Sequence, residues 1–425
     1  MAAIPPLGCP GVPQEGGQGR RFGEGVMRAP VAIFGAMAAS MFLLANAASA
    51  LNLTPPHGRH VSPLRVAPAQ PQAEEAITDC DRLAASPEDS QKVVDGVGIE
   101  TLDGTLALAR CQEAVSRYPA VARFQFQLGR AQEKLGNDQA SLDAYRKAAD
   151  LGSLIAAFSA GVRERDGVGT PGNDIEANRL FKLCADKGDA DCLNSLAYQY
   201  QVGRGVKVDP AEALALYKKA AEAGLTAANV NLGFLYRDGE GVTQDFAEAA
   251  RQFQAAADKG DPAGARNLAL AYQAGQGVPK DGAKAVALFQ AAADQGDDDA
   301  LVKIAYAYLS GDGVPKDEAK SVTYYRLAAD RGNTDGMAGL AFAYANGTGI
   351  PADGKAAALW LMRALAAGNE YSFNQLTDHW GAWNLDARME VQSILVDRGL
   401  YSGATKGTLN RETLKALKIL AGREN

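Results

Sequence analysis

Histidine is scarce, with three in 425 residues, and none of the five cysteines forms a CxxC pair. Those two shortages argue against a zinc finger or a zinc hydrolase. A basic excess is also missing. The formal net charge is −7, whereas a nucleic-acid binder needs a basic face to neutralise phosphates. There is no GxSxG elbow, and no glycine-rich loop runs into Lys-Ser or Lys-Thr at phosphate-binding spacing. Aromatic residues make up only 7% of the chain, against 47% apolar residues and 46 glycines. That composition suits closely packed helices better than a core of large rings. It also excludes wholesale disorder, and the length allows two or three domains or one elongated array.

One long apolar run occurs near the start, from Ala29 to Ala45. Met27-Arg28 precedes it, and Ala48-Ser49-Ala50 follows with small residues at the positions a signal peptidase reads. Residues 1–50 are therefore expected to be a leader and signal peptide, starting at Met27 and cleaved after Ala50. A permanent membrane span is not expected. Residues 51–78 carry five prolines and few apolar partners, which predicts a disordered linker.

Beyond it, a period of 36 residues organises the chain. Glycines stand at 167, 203, 239, 275, 311 and 347, and a second series follows two residues later, from Gly169 to Gly349. Periods of this size mark helical arrays in which each unit needs its neighbours to bury its apolar face. Tyr200, Tyr236, Tyr272, Tyr308 and Tyr344 precede the first glycine by three and are expected to end a first helix and pack inward. The first glycine takes the left-handed cap and the second allows the tight turn. Val206, Val242, Val278, Val314 and Ile350 fold the loop back onto the core.

Asn173, Asp209, Asp245, Asp281, Asp317 and Asp353 then cap a second helix. Asp209-Pro210-Ala211-Glu212 predicts a reciprocal capping box. Calcium binding by these acids is the alternative, but one Asp per unit offers no ring of oxygens. Tyr145, Phe181, Tyr217, Phe253, Phe289 and Tyr325, closed by Leu361, form a large-residue column. Ala220 to Ala364 form a small one, and Gly152 to Gly368 end the second helices. Ser153, Asp189, Asp261, Asp297, Asn333 and Asn369 cap the next first helix, with Leu225 as the exception.

The columns Leu232-Gly233, Tyr236, Gly239, Gly241-Val242, Asp245, Ala249, Phe253, Ala256-Ala257 and Gly260 resemble the Sel-one-like repeat family, an α/α solenoid related to tetratricopeptide repeats. The resemblance covers residues 153–369 in six units. Residues 79–152 read as an N-terminal helical cap whose stretch from Pro119 to Gly152 resembles a shorter tetratricopeptide unit. The expected fold is all-α: an α/α solenoid with a small C-terminal helical domain. The family implies a curved surface that holds a protein partner on its concave face, and no catalytic residue or cofactor.

Four cysteines remain after loss of the leader. Cys184 and Cys192 fall at helix ends that the turn at Gly188 brings together. Their eight-residue separation resembles the disulfides of cysteine-rich secreted members of the family, and Cys80 would then pair with Cys111. Four buried free thiols are the alternative. Loop-closure entropy gives about 2.5 and about 3.7 kcal/mol for the two bridges.

Periodicity fails after Gly368. Residues 370–425 read as helix, glycine-pinned loop and helix, with Asn410 capping the second. Val391-Gln392, Leu395, Gly399-Leu400-Tyr401-Ser402-Gly403, Gly407, Leu409 and Thr413 resemble a small peptidoglycan-binding domain. Lys406 and Leu420-Ala421 depart from that family's pattern. The resemblance implies Tyr401 packing on a sugar or stem peptide, with polar contacts near Ser402 and Gly403. Capping of the solenoid's open end is the rival role. His57 and His60, in the linker, have no acidic or cysteine partner nearby, and His379, beside Trp380, is expected to have a stacking or surface role rather than a catalytic one. The sequence thus predicts a non-enzymatic periplasmic or secreted scaffold near the cell wall. A regulator that restrains a membrane sensor and a cell-wall-processing enzyme are the alternatives.

Overall fold

The computed structural model describes residues 77–90 and 92–423. The signal peptide, its Met27 start and Ala50 cleavage site, His57, His60 and nearly all of the expected linker lie outside the described residues. Thr78, assigned to that linker, belongs instead to the folded chain, because it caps the first helix in a reciprocal box with Asp81.

Nineteen α-helices and one 3-10 turn make up the regular structure among the described residues, with no strand. Four helices come first: α1 (Asp79–Ala84), α2 (Gly104–Arg117), α3 (Ala122–Lys134) and α4 (Asp138–Asp150). Six hairpins follow, each a first and a second helix. They are α5 (Leu154–Asp166) with α6 (Asp174–Ala185), α7 (Ala190–Val202) with α8 (Pro210–Glu222), and α9 (Thr226–Asp238) with α10 (Phe246–Asp258). Then come α11 (Pro262–Ala274) with α12 (Gly282–Asp294), α13 (Asp298–Ser310) with α14 (Glu318–Asp330), and α15 (Thr334–Asn346) with α16 (Gly354–Ala366). The chain closes with α17 (Glu370–Thr377), the 3-10 turn Trp380–Ala382, α18 (Leu385–Asp397) and α19 (Arg411–Leu420). As far as α16 each helix packs chiefly on its sequence neighbours, the contact pattern of an α/α solenoid, whereas α18 folds back onto α16.

The caps set these lengths. Asp245 accepts the Glu248 N–H at 2.9 Å to start α10, and Asp281 accepts the Lys284 N–H at 2.9 Å to start α12. Gly239 and Gly275 end the first helices in the left-handed region, at φ 72° and 71°. Between the two helices, the Asp245 N–H donates to the Tyr236 carbonyl at 2.8 Å, and the same bond joins Asp281 to Tyr272, Asp317 to Tyr308 and Asp353 to Tyr344. At Asp209 this bond replaces the expected capping box. Its N–H is already given to the Tyr200 carbonyl at 2.9 Å, so Glu212 has no donor to reach back to, and only the forward half, Asp209 to the Glu212 N–H, forms.

Tyr145, Phe181, Tyr217, Phe253, Phe289, Tyr325 and Leu361 are all buried and run through the array as its central column. Facing them on the first helices is a column of small residues. A Cβ on Gly233 would lie 2.4 Å from the Phe253 ring. Burying each ring contributes about 1.5–3 kcal/mol. The expected inward packing of Tyr200, Tyr236, Tyr272, Tyr308 and Tyr344 is only partial. Each ring is half-buried and lies against the edge of the core, with the interior already filled by the second-helix rings.

Candidate functional site

Because every first helix of the six hairpins has 13 residues, closes on a left-handed glycine and, except α9, has a side-chain cap, equivalent side chains recur in phase. The ninth residue of each is Val162, Tyr198, Phe234, Leu270, Tyr306 or Phe342. All six are half-buried: their inner edges rest on the core and their outer edges meet solvent. Three residues earlier stand Ser159, Ser195, Asn231, Asn267 and Lys303. Hydrogen bonds tie neighbouring hairpins together: Asn231 Nδ2 on α9 donates to Asn194 Oδ1 on α7 at 2.9 Å, and Gln201 Nε2 on α7 donates to Glu240 Oε2 in the loop after α9 at 2.7 Å. Toward the C-terminal end the surface gains charge. Burial lowers the pKa of Lys303 against the opposing pull of Asp335 and Asp299.

An apolar stripe flanked by amides, hydroxyls and a few charges suits the side chains and backbone of a polypeptide segment. Sequence reasoning passed over this stripe in favour of the tyrosines two residues later, which are identical in five units. Its 36-residue spacing was nonetheless visible; the mixture of Val, Tyr, Phe and Leu hid it.

Both ends of the face are covered by the chain itself. On α3 the equivalent positions carry Arg123, Gln127, Arg130 and Lys134, and residues from α1 and the loop after it lie over them. At the other end, Tyr371, Gln375, Ala382 and Trp383 meet Ala338, Phe342 and Asn346 around a cavity of about 10 Å³, which is room for a single water. Gln375 Oε1 and Trp383 Nε1 are buried without a protein partner.

Cys80 is bonded to Cys111, and Cys184 to Cys192. All four are fully buried. The second bridge fastens α6 of one hairpin to α7 of the next. Asp189 lies beside it, the one group of potential metal ligands among the described residues. With both sulfurs bonded to each other and Asp189 Oδ1 accepting the Cys192 N–H at 3.0 Å, this arrangement holds no metal site. The acids starting the second helices are likewise engaged as caps, one in each hairpin but the first, where Asn173 serves, and they do not converge.

The C-terminal helices share one core with the last hairpin: Leu361, Met362 and Leu365 pack with Leu376, Trp380, Val391, Leu395, Tyr401 and Leu417. Residues 370–423 therefore cover the apolar end of the solenoid. The stacking role expected of Tyr401 is corrected here. Its ring is 5% exposed within that core, and its hydroxyl donates to the Ala404 carbonyl at 3.0 Å and accepts from Asn410 Nδ2 at 3.1 Å. No face of the ring is open to a sugar. Ser402 is exposed and Gly403 half-buried beside it. His379 is exposed. No helix among the described residues is long and apolar enough to cross a membrane.

Comparison with known proteins places these features. The Sel1 repeat profile matches residues 155–189, 190–225, 226–261, 262–297, 298–333 and 334–369. A Sel1 repeat protein from Oxalobacter formigenes superposes with a TM-score of 0.51 at 27% identity, over 56% of this chain and 96% of that one. The uropathogenic Escherichia coli protein c5321, described as a protective antigen with an SLR fold, gives 0.50 at 23% identity over 76% and 87%. No curated protein matches the sequence significantly.

Proposed function

The chain belongs to the Sel1 repeat family, and from that premise we propose that it is a non-enzymatic scaffold of the periplasm that holds a protein partner on the concave face built by its first helices. One observation carries this reading: the stripe from Val162 to Tyr306, five largely apolar side chains in register, each of them only half-buried. Monomeric proteins seldom leave so regular an apolar surface unless something docks there. The leader sequence and the two buried disulfides support an exported, oxidising location.

Site-specific photocrosslinking tests the reading. A crosslinking residue at Tyr198 or Tyr306 should capture one protein species in the native host. The same residue at Leu183, on a second helix and 38% exposed, should not. Equal capture at all three positions, or none, would overturn the assignment of the face. Contact with peptidoglycan is a separable part of the proposal and rests on the loop at Ser402 and Gly403 alone, since Tyr401 is committed to the core. Retention on purified sacculi that is unchanged by Ser402→Trp would remove it.

A further inference from the structure

The face that is half-exposed on α5 to α13 is filled on α3, and what fills it is a piece of the same chain. Arg123, Gln127, Arg130 and Lys134 occupy the register taken on α7 by Asp191, Ser195, Tyr198 and Val202. Arg123, Gln127 and Arg130 are 6%, 0% and 6% exposed, whereas their α7 counterparts are all partly or fully open. Each of the four binds the segment from Thr78 to Glu100. Arg123 Nε and Gln127 Nε2 both donate to Asp81 Oδ1 at 3.0 Å. Arg130 donates to the carbonyls of Ala84 at 2.8 Å and Val97 at 2.6 Å. Lys134 Nζ donates to the Glu100 carbonyl at 2.8 Å.

The match is one of charge as well as shape. The segment holds Asp79, Asp81, Glu88, Asp89, Asp95 and Glu100 against Arg82 and Lys92, and it meets three cationic side chains. Its key element is an acidic helical turn that presents Asp81 from a reciprocal cap, with the Thr78 N–H bonded to Asp81 Oδ2 at 2.8 Å. The contacts are of the kind a protein makes to a bound peptide: one carboxylate read by two donors, and turn carbonyls read by a guanidinium. The Cys80–Cys111 bridge then ties the turn down covalently.

We infer that α3 is a peptide-recognition register filled in cis, its occupant being the capped acidic turn Thr78–Ala84 and the loop that follows, so that the segment closes the N-terminal end of the partner face. The inference rests on the partner-face reading only for its regulatory meaning; recognition of the segment by α3 stands or falls by itself. A partner segment begins its contacts at α5 while the turn is seated, and reaches the basic α3 register only in a chain whose Cys80–Cys111 bridge is open.

The test uses the mature chain with Cys80→Ser and Cys111→Ser and a protease site inserted in the exposed stretch between Lys92 and Asp95. After nicking, a fluorescent synthetic peptide of residues 77–90, with serine at position 80, is titrated in and exchange is followed by anisotropy and gel filtration. The expected result is exchange without loss of helical circular dichroism, an affinity lowered at least tenfold by Asp81→Asn in the peptide, and a similar loss with Arg123→Ala in the protein. Absence of exchange, equal binding of the Asp81→Asn peptide, or collapse of the nicked chain would each overturn it by making the segment an integral part of the core. Hydrogen exchange on the unaltered, disulfide-intact chain gives a second reading. Amides of Asp79–Asp89 should open at least tenfold faster than those of α3, and equal protection would count against the inference. Crosslinking at Tyr198 is unaffected by any of these outcomes, so failure here and failure of the partner face are told apart.

Discussion

A Cβ placed on Gly277 would stand 2.0 Å from the carbonyl oxygen of Phe246, the first residue of the second helix one hairpin earlier. The same approach joins Gly241 to Pro210, Gly313 to Gly282 and Gly349 to Glu318, each 31 residues apart. The second glycine of each pair is thus the point where one repeat's loop rests on the backbone of its predecessor, in addition to a turn residue at positive φ.

Gly277→Ala should therefore cost more than a left-handed alanine alone. Gly296 also has positive φ, at 93°, but nothing lies within 4 Å of its missing Cβ. Gly296→Ala should lose about 1–2 kcal/mol, and Gly277→Ala clearly more, with a broadened denaturant transition as coupling between hairpins weakens. Urea unfolding of the two variants side by side measures the difference, and equal losses would deny the loop contact any energetic weight.

Removing the cap at Asp245 should cost about 1 kcal/mol, because the Glu248 N–H loses its acceptor. Asp245→Asn should retain most of that. Adding calcium or a chelator should leave the melting temperature of the unaltered protein where it is, since these acids are bound to backbone amides. A calcium-dependent shift would revive the metal reading.

Reduction or loss of each disulfide should destabilise by about 2.5 kcal/mol for Cys184–Cys192 and about 3.7 kcal/mol for Cys80–Cys111, from the eight- and 31-residue separations. Paired cysteine-to-alanine variants, unfolded without reductant, check the ranking. Intact mass under non-reducing conditions checks the pairing itself, and four alkylatable thiols in exported protein would reject it.

Glu248 provides a pH-dependent case. Gln252 Nε2 donates to its Oε1 at 2.7 Å, Arg251 Nε donates to its Oε2 at 2.8 Å, and these bonds hold its pKa below the ordinary value. A depressed carboxyl pKa contributes stability above the unfolded value, about 4.3, and that contribution is lost as pH falls through the folded one. Glu248→Gln should cost a few tenths of a kcal/mol at neutral pH, as suits a partly exposed helical pair. The cost should shrink as the pH falls through the folded pKa. A pH-independent difference would point to packing rather than charge.

Much of this architecture could be read from columns. Asp245, Gly239 and Phe253 each have a local task, respectively a cap, a left-handed terminus and a core ring, and six repetitions average away accidental matches. The stripe at Tyr198 and Phe234 was harder to see because binding surfaces need not repeat one residue type. Tyr401 misled for the opposite reason. It lies in a segment with no repeats, so an aromatic residue in a glycine-rich loop had nothing to mark it as core rather than surface.

The order and phase of the helices follow from the chain alone, because caps and left-handed glycines act through backbone groups only a few residues away. Which positions end up covered is a different matter. Arg130 and Tyr198 hold equivalent places on their helices, yet one is sealed beneath Thr78–Glu100 and the other is only half-buried. That distinction depends on where a distant stretch of chain comes to rest, which no local preference encodes, and the tertiary structure alone decides it.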